Sequence, residues 1–400
     1  MRLRTYESFW LLKNGLLYTY PMLQQDMRTE VVVVGGGITG ALISDRLVAD
    51  GHEVILLDKR DIATGSTSAT TSMLQYEIDE PLIKLSAKIG EPAAAACYRA
   101  GIAAIGELEK LVKRYGIDCG FARKSSLYIA HSKKAAKELY QEYLARNKHK
   151  LGVQWLEAGT IAGIYGLECQ GGILSDSAAS VDAYRLAHEL INRNTKKGLQ
   201  VYDQTTIRHI GYRQRTISIT TAAGYTVHCN KIIFCNGYEA TKMLQEKIAK
   251  LFYTYACVSE ENIAVPASLK HTLVWDTNDP YLYLRTTDDG RLLVGGEDSN
   301  RLVQAGQQRR KEIKSRRLTR KAERLIPGLT FTEDFSWGGV FGSTKDGLPY
   351  IGSSPECRNA YFVLGFGGNG ITFSIQGRQI INDLMAGKKN ELANHYRFGR

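Results

Sequence analysis

Gly35, Gly37 and Gly40 follow directly on four valines, Val31 to Val34, in the order Gly-x-Gly-x-x-Gly, and Asp58 stands further along. Glycines at this spacing can cradle a phosphate. Gly35 permits a tight turn, Gly37 lets the backbone approach a pyrophosphate, and Gly40 lets the next helix lie close on the strand. The phosphate then meets a helix N-terminus, where unpaired N–H groups and the helix dipole favour an anion. A second apolar run, Glu53 to Leu57, ends at Asp58, where a carboxylate can accept hydrogen bonds from an adenosine ribose. A single glycine triplet would mean little. Strand, turn, helix, strand and acid in this order predict a dinucleotide-binding βαβ unit over residues 29–60.

The elements that must position this unit are legible in outline. A run of small hydroxyl residues, Thr64 to Leu74, follows it. Helices are predicted over Ala93–Tyr115 and Lys133–Leu151, with short strands at Ser126–Ala130 and Val153–Leu156. Ser180-Val181-Asp182 is placed to cap a helix through Ala183, Leu186, Ala187 and Leu190. Leu199 to Asn236 reads as antiparallel strands returning to a buried one, Lys231 to Cys235. From Phe252 to Gly296 the pattern alternates and is rich in aromatics, which predicts a separate sheet layer. The last helix is expected from about Phe373 to Met385, with Gly387 after it.

The 400 residues, 44% hydrophobic and 23% charged, suit a globular protein of two or three domains. Seven cysteines without a close pair argue against a zinc site and suit a reducing, cytoplasmic setting. No apolar run approaches the length of a membrane span. The aromatic stretch Phe9 to Tyr20 follows Arg2 and Arg4 but is broken by Lys13 and Asn14 and lacks a small-residue cleavage site, so it does not read as a signal peptide. It either packs on the body of the protein or anchors at a membrane interface. The net charge of +11 is concentrated between Gln308 and Arg324, where nine cationic residues face two glutamates. Ile313, Leu318 and Leu325 give this segment a helical spacing. Its basic face is either solvated or a docking surface for nucleic acid or an acidic partner. No aromatic residue interleaves with the charges, which weakens the nucleic-acid reading.

Four motifs taken together carry a resemblance: the opening glycine turn, the GSTSATTSML run after Asp58, the DGLPYIG segment (346–352) and the GFGGNG turn (365–370). The chain resembles the D-amino acid oxidase superfamily, most closely its glycine oxidase and sarcosine oxidase branch, from residue 29 to the end. The resemblance implies an α/β fold: a glutathione-reductase-like FAD-binding Rossmann domain with an inserted mixed or antiparallel β-sheet substrate domain. It implies an N-terminal extension at 1–28, an FAD domain at 29–115, 165–245 and 345–400, and a substrate domain at 116–164 and 246–344. It further implies a non-covalent FAD. Gly35, Gly37, Ile38, Thr39 and Gly40 would lie at the pyrophosphate. Asp58 would take the ribose, with Lys59 beside it, and Ser66 and Thr67 would meet phosphate or ribitol. Thr71, Ser72 and Met73 would lie along the isoalloxazine, and Ile207 would hold the adenine. Gly365, Gly367, Gly368, Asn369, Gly370, Ile371 and Thr372 would form the turn against the pyrimidine ring. A helix N-terminus there would stabilise the negative charge of reduced flavin.

The activity implied is oxidation of a C–N bond in an amine or amino-acid-like compound. Hydride would pass to flavin N5, and the resulting imine would be hydrolysed. The electron acceptor is left open between oxygen and another. Two alternatives belong to the same superfamily: a dehydrogenase serving a quinone or protein acceptor, and a tRNA-modifying or RNA-binding flavoprotein. The chain also departs from the pattern. Where glycine-oxidising relatives place carboxylate-binding arginines, it has Phe341 and Gly368. Arg285, flanked by Tyr281 and Tyr283, is the available substitute, or else it forms an ion pair with Glu297 or Asp298. Tyr255, Trp275, Tyr281, Tyr283, Arg285 and Phe341 are the pocket candidates, with core packing of the sheet as the other claim on the aromatics.

Overall fold

Two sheets organise the chain. The computed structural model describes residues 4–5, 8–214, 216–300, 307–365 and 367–400, so Arg2 and Phe366 lie outside the described residues. The first sheet has a parallel centre. Its core strand Met27–Val34 is flanked by Val54–Leu57 and Thr226–Phe234, with Gln200–Tyr202 and Ala360–Leu364 outside them. Val31 to Val33 are fully buried, because helices cover the faces of a parallel sheet and every side chain must then be apolar. Gln200–Tyr202, expected in an antiparallel set, pairs parallel with Val54–Leu57. The hairpin Ile207–Tyr212 and Ile217–Thr221, and the edge strand Tyr350–Ser353 against Ala360–Leu364, supply the antiparallel part.

The helix Ile38–Ala49 follows the glycine turn, and Gly40 is what lets it seat. A Cβ there would lie 1.8 Å from the carbonyl oxygen of Gly35. The helices Glu91–Tyr115, Ala183–Thr195 and Gly370–Met385 join it in one core. Asp182 caps the second of these, accepting from Arg185 N at 2.9 Å.

The second sheet is larger and almost wholly antiparallel. It runs from Arg4–Thr5 through Glu333–Ser343, Lys250–Ser259, Leu292–Ser299, Leu282–Thr286, Thr272–Asp276, Ala122–Ile129 and Gly172–Ser180 to Met73–Leu74. It therefore draws Met73–Leu74 and Gly172–Ser180 from segments expected in the FAD domain, and Arg4–Thr5 from the N-terminal extension. The helix Gln307–Leu325 packs behind it, burying Leu318, Ala322 and Leu325 but leaving Ile313 exposed. Its basic face is partly spent on one buried acid. Glu297 receives Lys314 at 2.9 Å, Lys321 at 2.5 Å and Arg317 at 3.7 Å.

The extension packs on the body of the protein. Phe9 and Trp10 are buried, Asn14 donates to Asp182 at 2.6 Å, and Tyr184 donates to the Gly15 carbonyl at 3.1 Å. No helix among the described residues is long and apolar enough to cross a membrane.

Candidate active site

A cavity of about 1220 Å³ runs from the glycine turn of the first sheet to the open face of the second. At its first end lie Gly35, Gly37, Ile38 and Thr39, with Asp58, Lys59, Ser66, Thr67 and Ile207 around them. The Asp58 carboxylate accepts from Gly36 N at 2.6 Å and from Arg60 N at 2.9 Å. Burial raises its pKa, and these two N–H groups oppose that. Carboxylate oxygens keep further lone pairs, so a ribose hydroxyl can still donate to it. Lys59 and Arg60 both reach Glu239, at 2.7 and 2.9 Å. Burial pushes the Glu239 pKa up, but the hydrogen bonds from Arg60 and Lys59 outweigh it and hold the carboxyl below its usual range.

Ile38 differs from expectation. Its N–H donates to Thr67 Oγ1 at 2.9 Å. A hydroxyl that accepts one bond can donate another, so Thr67 is placed to pass its own hydrogen to a phosphate at the helix N-terminus. Thr39 is tied across to the last long helix, its hydroxyl 2.7 Å from Ser374 Oγ.

The middle of the cavity is walled by Thr71 and Met73 on one side and by Gly365, Gly367, Gly368, Asn369, Gly370 and Ile371 on the other. Three consecutive carbonyls of the hydroxyl run are each held by a side chain from elsewhere. Trp337 Nε1 donates to Ala69 O at 2.9 Å, Trp10 Nε1 to Thr70 O at 2.6 Å, and Arg285 Nε to Thr71 O at 2.7 Å. The glycine turn is tied to the same stretch: Asn369 and Thr372 donate to Gln75 O at 2.8 and 3.2 Å.

The far end is aromatic. Phe341, Phe252, Tyr238, Tyr281, Tyr283 and Trp275 line it. Tyr281 and Tyr283 lie 5.7 Å apart, and Trp275 stacks on Tyr128 at 3.5 Å. Gly295 makes the Tyr283 position possible, since a Cβ there would sit 2.3 Å from the ring.

Several expected site residues stand elsewhere. Arg285 does not line the cavity, and it pairs with neither Glu297 nor Asp298. It is buried behind the hydroxyl run, under Trp10 at 5.4 Å, with its second terminal nitrogen unpartnered among the described residues. Burial lowers its pKa to about 10, with Asp288, Asp182 and Asp289 opposing, so it stays charged at neutral pH. Tyr255 is 2% exposed and packs edge-on to Tyr253 in the core behind the sheet. Phe252, Thr254 and Ala256 of the same strand line the cavity, and Tyr255 lines it too while its ring belongs to that core. Gly40, Ser72 and Thr372 support the walls without lining them.

Sequence reasoning missed the acids. Glu77, Asp79, Asp276, Asp279 and Asp298 all line the cavity. A signal for two of them existed. Met73, Gln75, Glu77 and Asp79 alternate along the sequence from the strand Met73–Leu74, as residues facing one side of an extended chain do.

The donor set fits an extended dinucleotide: a helix N-terminus, a ribose-facing acid, and a long cleft ending at a glycine turn. The family profile described as "DAO: FAD dependent oxidoreductase" matches residues 30–382. The chain is 27% identical to glycine oxidase of Geobacillus kaustophilus (strain HTA426) over 381 residues, covering 90% of this chain and 94% of the relative. It is 25% identical to gamma-glutamylputrescine oxidoreductase of Escherichia coli (strain K12), covering 95% and 89%. The crystal structure of glycine oxidase from Geobacillus kaustophilus superposes with a TM-score of 0.76 at 25% identity, covering 94% of this chain and 99% of that one. The chain therefore belongs to the DAO family of FAD-dependent oxidoreductases, whose cofactor is FAD.

Proposed function

We propose that the protein oxidises an amine at the carbon next to nitrogen, with its FAD held non-covalently and the imine product released to hydrolysis. The observation that carries this reading is the single continuous cavity joining the Gly35–Asp58 fingerprint to an aromatic chamber across the Gly365–Ile371 turn. When bound, FAD supplies the hydride acceptor. The chain's own residues do the rest. Thr67, Asp58 and the helix N-terminus at Ile38 hold the nucleotide end. Trp337, Trp10 and Arg285 fix the backbone of Ala69 to Thr71, so that the wall beside the reacting centre keeps its shape. Tyr281, Tyr283, Phe252 and Phe341 exclude water and orient the carbon chain of the substrate. Fixing both reactants in one walled cavity converts an encounter into an intramolecular step, which is where most of the rate enhancement must come from, because no side chain is needed as base if the amine binds neutral.

The relatives named glycine oxidase and gamma-glutamylputrescine oxidoreductase support a C–N bond as the target. The test is product analysis. Incubation of the FAD-loaded protein with primary and secondary amines should yield a carbonyl compound and the released amine or ammonia in equal amounts. Carbonyl product from a hydroxy acid alone, with none from any amine, would overturn the reading. Oxygen uptake in the same reactions, against reduction of a quinone, assigns the electron acceptor.

A further inference from the structure

The ionisable groups of the cavity are sorted by sign along its length. Every described lysine, arginine or histidine that lines it stands at the nucleotide end: Lys59, Arg60, Arg208, His209 and Lys242. The substrate end has carboxylates and no described cation. We propose, resting on the amine-oxidising reading, that this end recognises an amine whose tail carries a second positive charge, and discriminates against tails ending in a carboxylate.

The carboxylates differ in how far the fold has already used them. Asp276 is spent: its oxygens accept from Leu282 N, Asn278 and His131 at 2.7–3.2 Å. Glu77 is buried against Arg146, 3.7 Å away, yet its Oε2 has no partner among the described residues. Asp298 also has a buried oxygen, Oδ1, without a partner among them. Lys314 acts on Asp298 from the helix behind, but its ammonium is bonded to Glu297. Asp79 is the most open. It is exposed and lines the cavity, and its carboxylate accepts from Gly368 N at 3.0 and 3.1 Å.

A buried carboxylate oxygen without a donor is costly, and the negative charge of Asp298 also acts on Asp79, pushing its pKa up. A cation placed between them relieves both. The tyrosines and phenylalanines around them offer ring faces to the same charge. The Gly368 position sharpens the point. A Cβ on Gly368 would lie 2.9 Å from Asp79 Oδ1, and one on Gly367 would lie 2.4 Å from Oδ2. The acid fills the space that a side chain on this turn would need, so the turn presents a negative charge to the cavity where a carboxylate-binding site needs a positive one.

The experiment is an anaerobic binding titration of the FAD-loaded protein at low ionic strength with three chains of equal length: 1,5-diaminopentane, pentylamine and 5-aminopentanoate. Flavin absorbance and calorimetry give Kd. The diamine should bind at least tenfold more tightly than pentylamine, 5-aminopentanoate should bind most weakly, and added salt should narrow the spread. Asp298→Asn, and separately Asp79→Asn, should bring the ratio of diamine to pentylamine affinity toward one. Two variants are used so that misfolding of one leaves the test standing on the other. Tighter binding of 5-aminopentanoate than of the diamine, with the flavin still bleached by amines, overturns this inference and leaves the amine reading intact. So does a ratio unchanged in both variants. If none of the three binds and a hydroxy acid bleaches the flavin, the amine reading falls and takes this inference with it.

Discussion

Arg285 donates from Nε to the carbonyl of Thr71 at 2.7 Å while its guanidinium lies under the Trp10 ring. A residue of the substrate sheet and one of the N-terminal extension thus close on the same strand of wall, with Trp337 holding the carbonyl two residues earlier. Replacing Arg285 with Met removes a charge-assisted hydrogen bond worth about 1.5–3 kcal/mol. The expected result is weaker FAD retention, roughly tenfold, together with a lower Tm. Acid-bearing and neutral substrates should lose affinity alike. A selective loss for acid-bearing substrates, read from kcat/KM across the two classes, would return Arg285 to the role of anion grip.

Trp10 makes the parallel case for the extension. Trp10→Phe keeps the apolar packing and removes only the bond to Thr70, about 1 kcal/mol. FAD dissociation, followed by flavin fluorescence, should quicken severalfold with the fold unchanged by circular dichroism. An unaltered rate would reduce the extension to a structural strap with no bearing on the cofactor.

The nucleotide end gives a sharper expectation. A Cβ on Gly37 would meet Thr67 Oγ1 at 2.8 Å, so Gly37→Val should break the Ile38–Thr67 contact and abolish FAD uptake in a folded protein. The flavin should also leave the wild-type protein on acid precipitation. No Cys or His occurs between Thr64 and Leu74 or between Phe331 and Glu356. Cys357 does line the cavity, in company with Tyr212 from the Ile207 hairpin at the nucleotide end. Colour remaining in the pellet would contradict the non-covalent assignment.

Burial raises the Asp79 pKa to about 6; the Gly368 N–H pulls it down, and Asp298 and Glu80 push it up. Below that value Asp79 is neutral and above it anionic. The advantage of a diamine over a monoamine should therefore grow as pH rises from about 5 to 7, a range in which both ligands stay protonated in solution. A flat ratio over this range would assign the discrimination to Asp298 alone.

The basic helix commits part of its charge to Glu297. Glu297→Gln should destabilise the protein by about 1–2 kcal/mol, because it strips a buried acceptor from Lys314 and Lys321. Burial raises the pKa of Glu297, but Lys321 and Lys314 outweigh it and hold it below its usual range. Its contribution is therefore full above the unfolded carboxyl pKa and is lost as pH falls through the depressed value. Neutralising Arg316, Arg317 and Arg320 together should change flavin reduction by less than about tenfold, or roughly 1.4 kcal/mol. Denaturant melts of the first variant and single-turnover kinetics of the second check the pair.

What could be read from the chain followed the range of the interactions. Gly35 to Asp58 is one local unit, with spacing that reports its own geometry, and the order of elements around it could be read forward. The grouping of the acids could not. Asp79 and Asp298 line one cavity only because the two sheets close around it, and nothing near either residue announces the other. Tyr255 answers both readings of the sheet aromatics, since it lines the cavity and packs in the core behind the sheet. Arg285 was misassigned because its partners are a loop carbonyl and a tryptophan from an extension that lies outside the resemblance.

Anaerobic titration of the purified protein tests the central claim most directly. It should carry a flavin spectrum, or acquire one on addition of FAD, and that spectrum should bleach on mixing with an amine while free glycine and sarcosine act poorly. A protein that takes up no FAD, or one whose flavin is bleached efficiently by glycine and not by apolar or dicationic amines, would contradict it.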